Sequence, residues 1–160
     1  MTKELRRARS LRESQRLEEL DRAWVVLSIS SDNLSPEAIT ERLGLEPSRS
    51  RLKGEPIDKS KCSEFLSSSH SWSYFTDSHL SSKRVEDHLT WLLDNQLYDK
   101  RQAIRDLQRD GAEVTIFAWT KAWSSLLFMN LEPVVLRKLA QLNLRIEFTT
   151  HFKNAKQRFE

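Results

Sequence analysis

The pattern of apolar positions divides the chain into segments that predict strands and helices. The run from Trp24 to Ile29 is dense in strand formers and too short for a buried helix, which predicts a strand on or near the sheet centre. Serines and aromatic residues alternate from Ser71 to Phe75, as is typical of a strand with one buried face. Three more strands are expected at Glu113 to Trp119, Leu126 to Leu131 and Leu144 to Phe148. The short connection between the first two of these favours an antiparallel pair.

Helical spacing and end signals predict the helices. The clearest begins at Ser35-Pro36-Glu37, where a serine cap precedes a proline, and ends at Gly44. The others are expected over 83–97, 100–110 and Pro133 to Leu142, and a thin apolar stripe predicts an exposed, marginal helix over 3–22. Residues 46–70 show no sustained period, which predicts a long surface loop with room for a short hairpin.

A unit of strand, Asn-Leu-X-Pro turn and helix is predicted twice. Its turns are Asn33-Leu34-Ser35-Pro36 and Asn130-Leu131-Glu132-Pro133. An internal duplication and convergence on residues that suit a helix start are both open explanations. Either way, the order of elements predicts an α+β fold, with a twisted, mostly antiparallel sheet and its helices mainly on one face, as in a ferredoxin-like sandwich.

Length and cysteine content set broad limits. A chain of 160 residues fits one domain, and domains of that size bury roughly 70% of their unfolded surface. The one cysteine, Cys62, cannot form an internal disulfide, and the charged N-terminus does not resemble a signal peptide. No apolar run approaches the ~20 residues that cross a bilayer. We therefore expect a cytoplasmic protein with no membrane association.

Charge is unevenly distributed along the chain. Residues 1–22 carry seven Lys and Arg against five Asp and Glu, and residues 150–160 carry three against one. Because the whole chain has a formal charge of +3, residues 23–149 are left at −1. This distribution predicts an exposed charged helix over 1–22, a single α+β domain over 23–149 and a basic tail over 150–160.

Several motifs occur along the chain in a characteristic order. They are Ile39-Thr40-Glu41-Arg42-Leu43-Gly44-Leu45-Glu46-Pro47, Lys53-Gly54-Glu55, Trp72, the helix carrying Leu89, Leu92 and Leu93, and Leu139-Ala140-Gln141-Leu142 before the last strand. Together they resemble the pattern of the bacterial domain of unknown function 4279 family, DUF4279. The resemblance covers roughly residues 23–149. It implies a small bacterial cytosolic domain without an established activity or agreed catalytic residues, and it does not extend to the charged ends.

The sequence lacks the common signatures of catalysis. With only three glycines, Gly-rich phosphate loops and the hydrolase nucleophile elbow are absent. Cys62 and His70 lie in a serine-rich loop where nothing fixes their geometry, so we interpret Cys62 as an inert thiol. His70, His79 and His88 recur every nine residues, which is no recognised ligand spacing. We expect no enzyme activity, no metal site and no cofactor.

Two segments are candidate binding sites. In the loop, Arg49, Arg51, Lys53, Gly54 and Glu55 place cations and a glycine where backbone amides could surround an anion, although a solvated turn explains them as well. Further on, Trp119 and Trp123 flank Lys121 in the predicted hairpin connection and would anchor a protein partner if exposed. We expect Trp24, Trp72 and Trp91 in the core.

The sequence thus favours a non-catalytic binding module, an immunity-type or regulatory protein that binds another protein. The alternative is a nucleic-acid-associated protein that uses its basic ends for weak, salt-dependent phosphate contacts. Those contacts would come from Arg6, Arg7, Arg9, Arg12, Arg16, Lys153, Lys156 and Arg158. Interspersed glutamates in the N-terminal segment argue against it. The partner and the oligomeric state, a dimer included, stay open.

Overall fold

A computed structural model describes residues 20–57, 65–123 and 129–153. Five strands form one mixed sheet: β1 (Leu20–Ser31), β2 (Arg49–Arg51), β3 (His70–Phe75), β4 (Glu113–Ala122) and β5 (Arg145–Phe152). Their order across the sheet is β2-β3-β1-β4-β5. Strand β1 is antiparallel to both β3 and β4, β2 is antiparallel to β3, and β5 is parallel to β4. The predicted position of the first strand at the sheet centre is confirmed.

The described helices are α1 (Pro36–Leu43), α2 (Val85–Trp91), α3 (Arg101–Arg109) and α4 (Pro133–Gln141). A π-helix (Leu92–Leu97) and a 3₁₀ turn (Tyr98–Lys100) join α2 to α3. The sequence predicted one regular helix over 83–97. The π-helical turns carry Leu92, Leu93 and Leu97, all of which are buried.

One face of the sheet, the inner face, forms the core with the helices. Strand β1 contributes Ala23, Val25, Leu27 and Ile29 to it, and every described α-helix contributes buried apolar residues to the same cluster. The helical members are Ile39 and Leu43 of α1, Val85 and Leu89 of α2, Ile104 and Leu107 of α3, and Val135 and Leu139 of α4. The α+β class with helices packed on one sheet face is therefore established, whereas the ferredoxin-like detail is not confirmed.

Helix α1 has the ends that the sequence predicted. The Ser35 hydroxyl accepts a hydrogen bond from the Ala38 amide at 3.3 Å, and Pro36 occupies the first turn. Gly44 ends the helix at φ +60°, where its amide donates to the Thr40 carbonyl. That backbone angle is one that residues with a Cβ rarely adopt, so the glycine has a structural reason.

A chain of buried hydrogen bonds connects the sheet to α2. The Val25 amide donates to the Thr76 hydroxyl at 2.9 Å, and that hydroxyl lies 2.7 Å from Nδ1 of His88. On the other side of the ring, Nε2 lies 2.8 Å from the Ser82 carbonyl oxygen. Because a carbonyl only accepts, Nε2 carries a proton and donates it to Ser82, while Nδ1 shares a hydrogen bond with the Thr76 hydroxyl. The fully buried His88 is thereby satisfied at both nitrogens.

Three sequence predictions need correction at strand ends. Leu20 to Arg22 belong to β1 rather than to an exposed helix, and residues 150–152 belong to β5 rather than to a tail. Residues 129–131 are not a strand, and both sides of β4 are occupied, by β1 and by β5, so the expected hairpin partner has no place there. Residues 1–19, 58–64, 124–128 and 154–160, including Cys62, lie outside the described residues.

Among the described residues, the repeated unit is only partly present. Both Asn-Leu-X-Pro turns lead into helices that begin at their prolines, α1 and α4. Ser35 caps α1 with its side chain, whereas Glu132 makes no capping hydrogen bond to α4. Since no strand precedes the second turn within residues 129–131, what recurs is the turn and the helix.

Replacing Ser35 with alanine should lower the free energy of unfolding by about 1 kcal/mol, because the Ala38 amide loses its acceptor. Urea denaturation followed by circular dichroism measures the change. Ser35→Asp keeps an acceptor at the cap and should stay close to wild type. Equal losses for both variants would show that the hydrogen bond does not stabilise α1.

Replacing His88 with leucine should lower the free energy of unfolding by about 2 kcal/mol, because the Ser82 carbonyl loses its hydrogen bond to the ring and the buried Thr76 hydroxyl keeps only the Val25 amide as a partner. The matched variant is His88→Gln, whose amide can accept from one group and donate to the other. It should retain more stability in thermal and urea unfolding. A glutamine variant no more stable than the leucine variant would contradict a hydrogen-bonding role for this ring.

Candidate functional site

The face of the sheet opposite the core, the outer face, carries an open apolar groove of about 680 Å³. Every residue that lines it comes from β1, β3, β4 or β5, except Lys153, which directly follows β5. The lining residues, hereafter the groove, are Trp24, Val26, Ser28, Ser73, Phe75, Phe117, Trp119, Lys121, His151 and Lys153. Strand alternation explains this set, because neighbours along β1 point to opposite faces. Along β1, the residues between them, Val25 and Leu27, belong to the core.

The pairing between strands arranges the groove residues in rows, or tiers, that run across β3, β1 and β4. Trp24 of β1 is paired with Trp119 of β4, and Val26 lies between Phe117 of β4 and Phe75 of β3. One step further along, Ser28 of β1 is opposite Ser73 of β3. Tall aromatic side chains therefore stand beside small hydroxyls, which gives the surface its concave shape.

An aromatic row forms one end of the groove. The rings of Trp24 and Trp119 are stacked with their centroids 5.9 Å apart and their planes within 2°. His151 of β5 stacks on Trp119 at 5.4 Å, with 5° between the planes. Since β4 lies between β1 and β5, Trp119 has a ring on each side. Such pairs contribute beyond their buried area and hold the ring orientations.

Cationic side chains surround this row. The guanidinium of Arg22 lies 5.3 Å from the centroid of Trp24, and Nζ of Lys121 lies 5.9 Å from it. Lys153 lies 4.5 Å from the centroid of Trp123. Arg22 also pairs with Asp77, and Lys153 pairs with Asp21 at 2.8 Å. For Lys121, no carboxylate lies at ion-pair distance among the residues that the structure describes.

The predicted partner-binding residues Trp119, Lys121 and Trp123 are near this groove, but not in a hairpin connection. Trp119 and Lys121 belong to β4, and Trp123 follows its last residue. The prediction that Trp24 lies in the core is wrong, because this side chain is half-buried on the outer face and lines the groove. The other two tryptophans fit the prediction, since Trp72 is fully buried and Trp91 packs partly against the core.

Sequence reasoning also missed Val26, Phe75, Phe117 and His151 as groove residues. In the run from Trp24 to Ile29 every residue except Ser28 is apolar. The sequence therefore shows no alternation of polar and apolar residues that would separate the groove face from the core face. A weak signal was available in the serines. Ser28 and Ser73 mark the outer face by parity, and every second residue from them towards Trp24 or Phe75 is apolar.

The loop of Arg49, Arg51, Lys53, Gly54 and Glu55 uses its polar groups internally. Leu52 donates its amide to the Glu55 carboxylate at 3.2 Å, and Lys53 donates its amide to Nδ1 of His70 at 3.1 Å. Gly54 and Glu55 donate theirs to the Ser67 and Leu52 carbonyls.

Two cationic side chains of this loop also have partners, and the third is exposed. Arg51 donates to the Ile57 carbonyl at 2.7 Å, Lys53 pairs with Asp32 at 2.8 Å, and Arg49 lies exposed on the edge strand β2. The four amides from 52 to 55 are therefore already engaged. Anion binding here stays a prediction.

The residues of the nucleic-acid alternative lie mostly outside the described part of the chain. Those are Arg6, Arg7, Arg9, Arg12, Arg16, Lys156 and Arg158. Lys153 is described, and it sits between the Trp123 ring and Asp21.

The three regularly spaced histidines have separate environments. His70 accepts a hydrogen bond from the Lys53 amide, His79 stacks between Tyr74 and Trp91, and His88 lies on the buried side of α2. Among the described residues, no group of three His, Cys, Asp or Glu side chains is placed to hold a metal ion.

Residues 19–153 match the model of a known family, Domain of unknown function (DUF4279). This range covers most of the chain, and the chain therefore belongs to that family, as the sequence motifs predicted. No curated protein and no solved structure is significantly similar to it. Within the described segments, none of the helices has the length and apolarity to cross a membrane.

The Asp32 and Lys53 pair makes the loop testable by titration. The hydrogen bond and the charge of Lys53 hold the pKa of the Asp32 carboxyl below its ordinary value. A lowered folded-state pKa means that the pair stabilises the fold above the unfolded-state pKa and that this contribution disappears as the pH falls through the folded-state pKa.

Lys53→Met should therefore raise the pKa of Asp32 in a carboxyl-detected NMR titration. Arg51→Met removes a nearby cation that donates elsewhere, and it should leave this titration almost unchanged. An unshifted Asp32 pKa in Lys53→Met would contradict the pair.

Proposed function

We propose that this member of the DUF4279 family is a non-catalytic binding module that engages another protein through the groove on its outer face. The observation that carries the proposal is the aromatic row of Trp24, Trp119 and His151 beside an open apolar surface. Tryptophan concentrates at the energetic centres of protein interfaces. Here two of them are held in fixed orientation by stacking.

The composition of the outer face supports this proposal. An antiparallel sheet packed on one side normally presents polar residues to water on the other. On this sheet the outer face presents the half-buried aromatic side chains of Trp24, Phe75, Phe117 and Trp119 instead, with the buried Val26 between them. Apolar residues gathered in one surface patch mark sites of interaction in soluble proteins.

Rigidity of the surface supports it further. All four strands that line the groove are paired along the register given above, and the core packs directly beneath β1, β3 and β4. A preformed surface loses little conformational entropy on binding. We propose a bacterial cytoplasm as the setting of this interaction, because the family resemblance and the single cysteine support it. The immunity-type or regulatory role that we propose rests instead on the missing catalytic signatures and on the aromatic residues of the groove.

Filling the groove should block binding without disturbing the fold. Ser73→Trp places a large side chain beside Ser28, inside the groove, in a strand that favours aromatic residues. We expect this variant to lose most of the fluorescence enhancement that anilinonaphthalene sulfonate, an apolar aromatic probe, shows with the wild-type chain.

The matched control is Ser71→Trp. Ser71 lies on the same strand and the same face and is also half-buried, but it does not line the groove. It should retain the wild-type enhancement, and circular dichroism should show both variants folded. Equal enhancement in wild type and in Ser73→Trp would show that the groove is not a binding surface.

A further inference from the structure

We infer that the partner presents an acidic, apolar protein segment, whose apolar side chains enter the groove and whose carboxylate meets Lys121. The inference rests on the proposed function and specifies its ligand. It follows from three properties of the groove: its openness, the orientation of its rings and the sign of its charge.

The openness of the groove favours a macromolecule over a small ligand. The groove is a shallow concavity on a sheet face rather than an enclosed cavity. Small-molecule sites typically surround 70–90% or more of the ligand surface. A small molecule in this groove would leave one whole side exposed to water. A segment of a protein partner would be covered on that side by the rest of the partner.

The ring orientation disfavours the bases of a nucleic acid. Single-stranded nucleic acids bind by stacking bases on open aromatic faces. Trp119 has its two faces turned towards Trp24 and His151, and Trp24 is approached by Arg22 and Lys121. The edges of the rings and the low Ser28 and Ser73 tier remain available, and these suit inserted aliphatic or aromatic side chains.

The charge of the groove selects an acidic partner. Two lysines, Lys121 and Lys153, and His151 line it, and none of its ten lining residues carries a carboxylate. Lys153 already forms an ion pair with Asp21, so Lys121 is the cation with which a carboxylate of the ligand would form an ion pair. Desolvating this half-buried ammonium against a basic or neutral partner is unfavourable, whereas a carboxylate offsets the cost.

The experiment compares three fluorescently labelled probes of matched length by anisotropy on the full chain. Two are amphipathic peptides with identical Leu and Phe positions, one with glutamate and one with lysine at the positions between them, and the third is oligothymidylate. The glutamate peptide should bind at least about tenfold more tightly than the other two. Its binding should be lost in Ser73→Trp and retained in Ser71→Trp.

Lys121→Met tests the charge contact while keeping the apolar stem. It should reduce the preference for the glutamate peptide from about tenfold to about twofold. The matched variant Lys83→Met removes an exposed cation outside the groove, and it should leave the preference unchanged.

The possible failures are distinct. Equal binding of the two peptides, no binding of either, or tighter binding of oligothymidylate would overturn the acidic partner. The proposed binding surface would still stand if Ser73→Trp blocked the anilinonaphthalene probe. A Ser73→Trp variant that blocked neither probe nor peptide would remove both proposals together.

Discussion

The register of β1 determines which residues lie on each of the two faces of the sheet. The strand is hydrogen-bonded to β3 on one side and to β4 on the other, so its residues alternate between two faces without freedom to turn. Val25, Leu27 and Ile29 fill the core, while Trp24, Val26 and Ser28 build the groove. A slip of one residue would exchange these two sets and would bring Trp24 into a core that has no space for it.

The buried polar chain reinforces this register from the helical layer. Val25 is bonded through both backbone groups to Thr76, because its amide donates to the hydroxyl and its carbonyl accepts from the Thr76 amide at 3.0 Å. Thr76 in turn holds His88 of α2. The tier that carries the aromatic row begins at the neighbouring residue, Trp24. The hydrogen bonds of Thr76 therefore connect α2, beneath the sheet, to the strand position next to Trp24, whose ring lies above it.

Local signals in the sequence predicted the elements whose causes are local. The cap at Ser35 and the stop at Gly44 define α1 by chemistry within one turn, and the structure follows them residue by residue. The helix predicted over 100–110 likewise corresponds to α3, which buries Ile104 and Leu107. Strand partners depend on residues far apart in sequence. Nothing near Trp119 in the sequence indicates that β5 lies parallel beside it, so the short connection that follows predicts a hairpin partner instead.

The candidate site was harder to predict than the fold for the same reason. Trp119 and Lys121 were singled out because they are close together in sequence, but their neighbours in the groove come from positions 24 to 28, 73 to 75 and 151 to 153. Only cross-strand register brings these together. Trp24 was placed in the core because the apolar run around it hides the alternation between faces, which a pairing partner reveals.

The extent of the family match separates the two binding hypotheses. All ten groove residues lie within residues 19–153, whereas the arginines from Arg6 to Arg16 lie before that range. A function of the groove is therefore one that the family domain itself can carry. Phosphate contacts by the N-terminal arginines would be an addition to this chain. The same β1 register builds the core of that domain and its outer face. The groove is therefore part of the folded domain itself rather than of the N-terminal segment that precedes it.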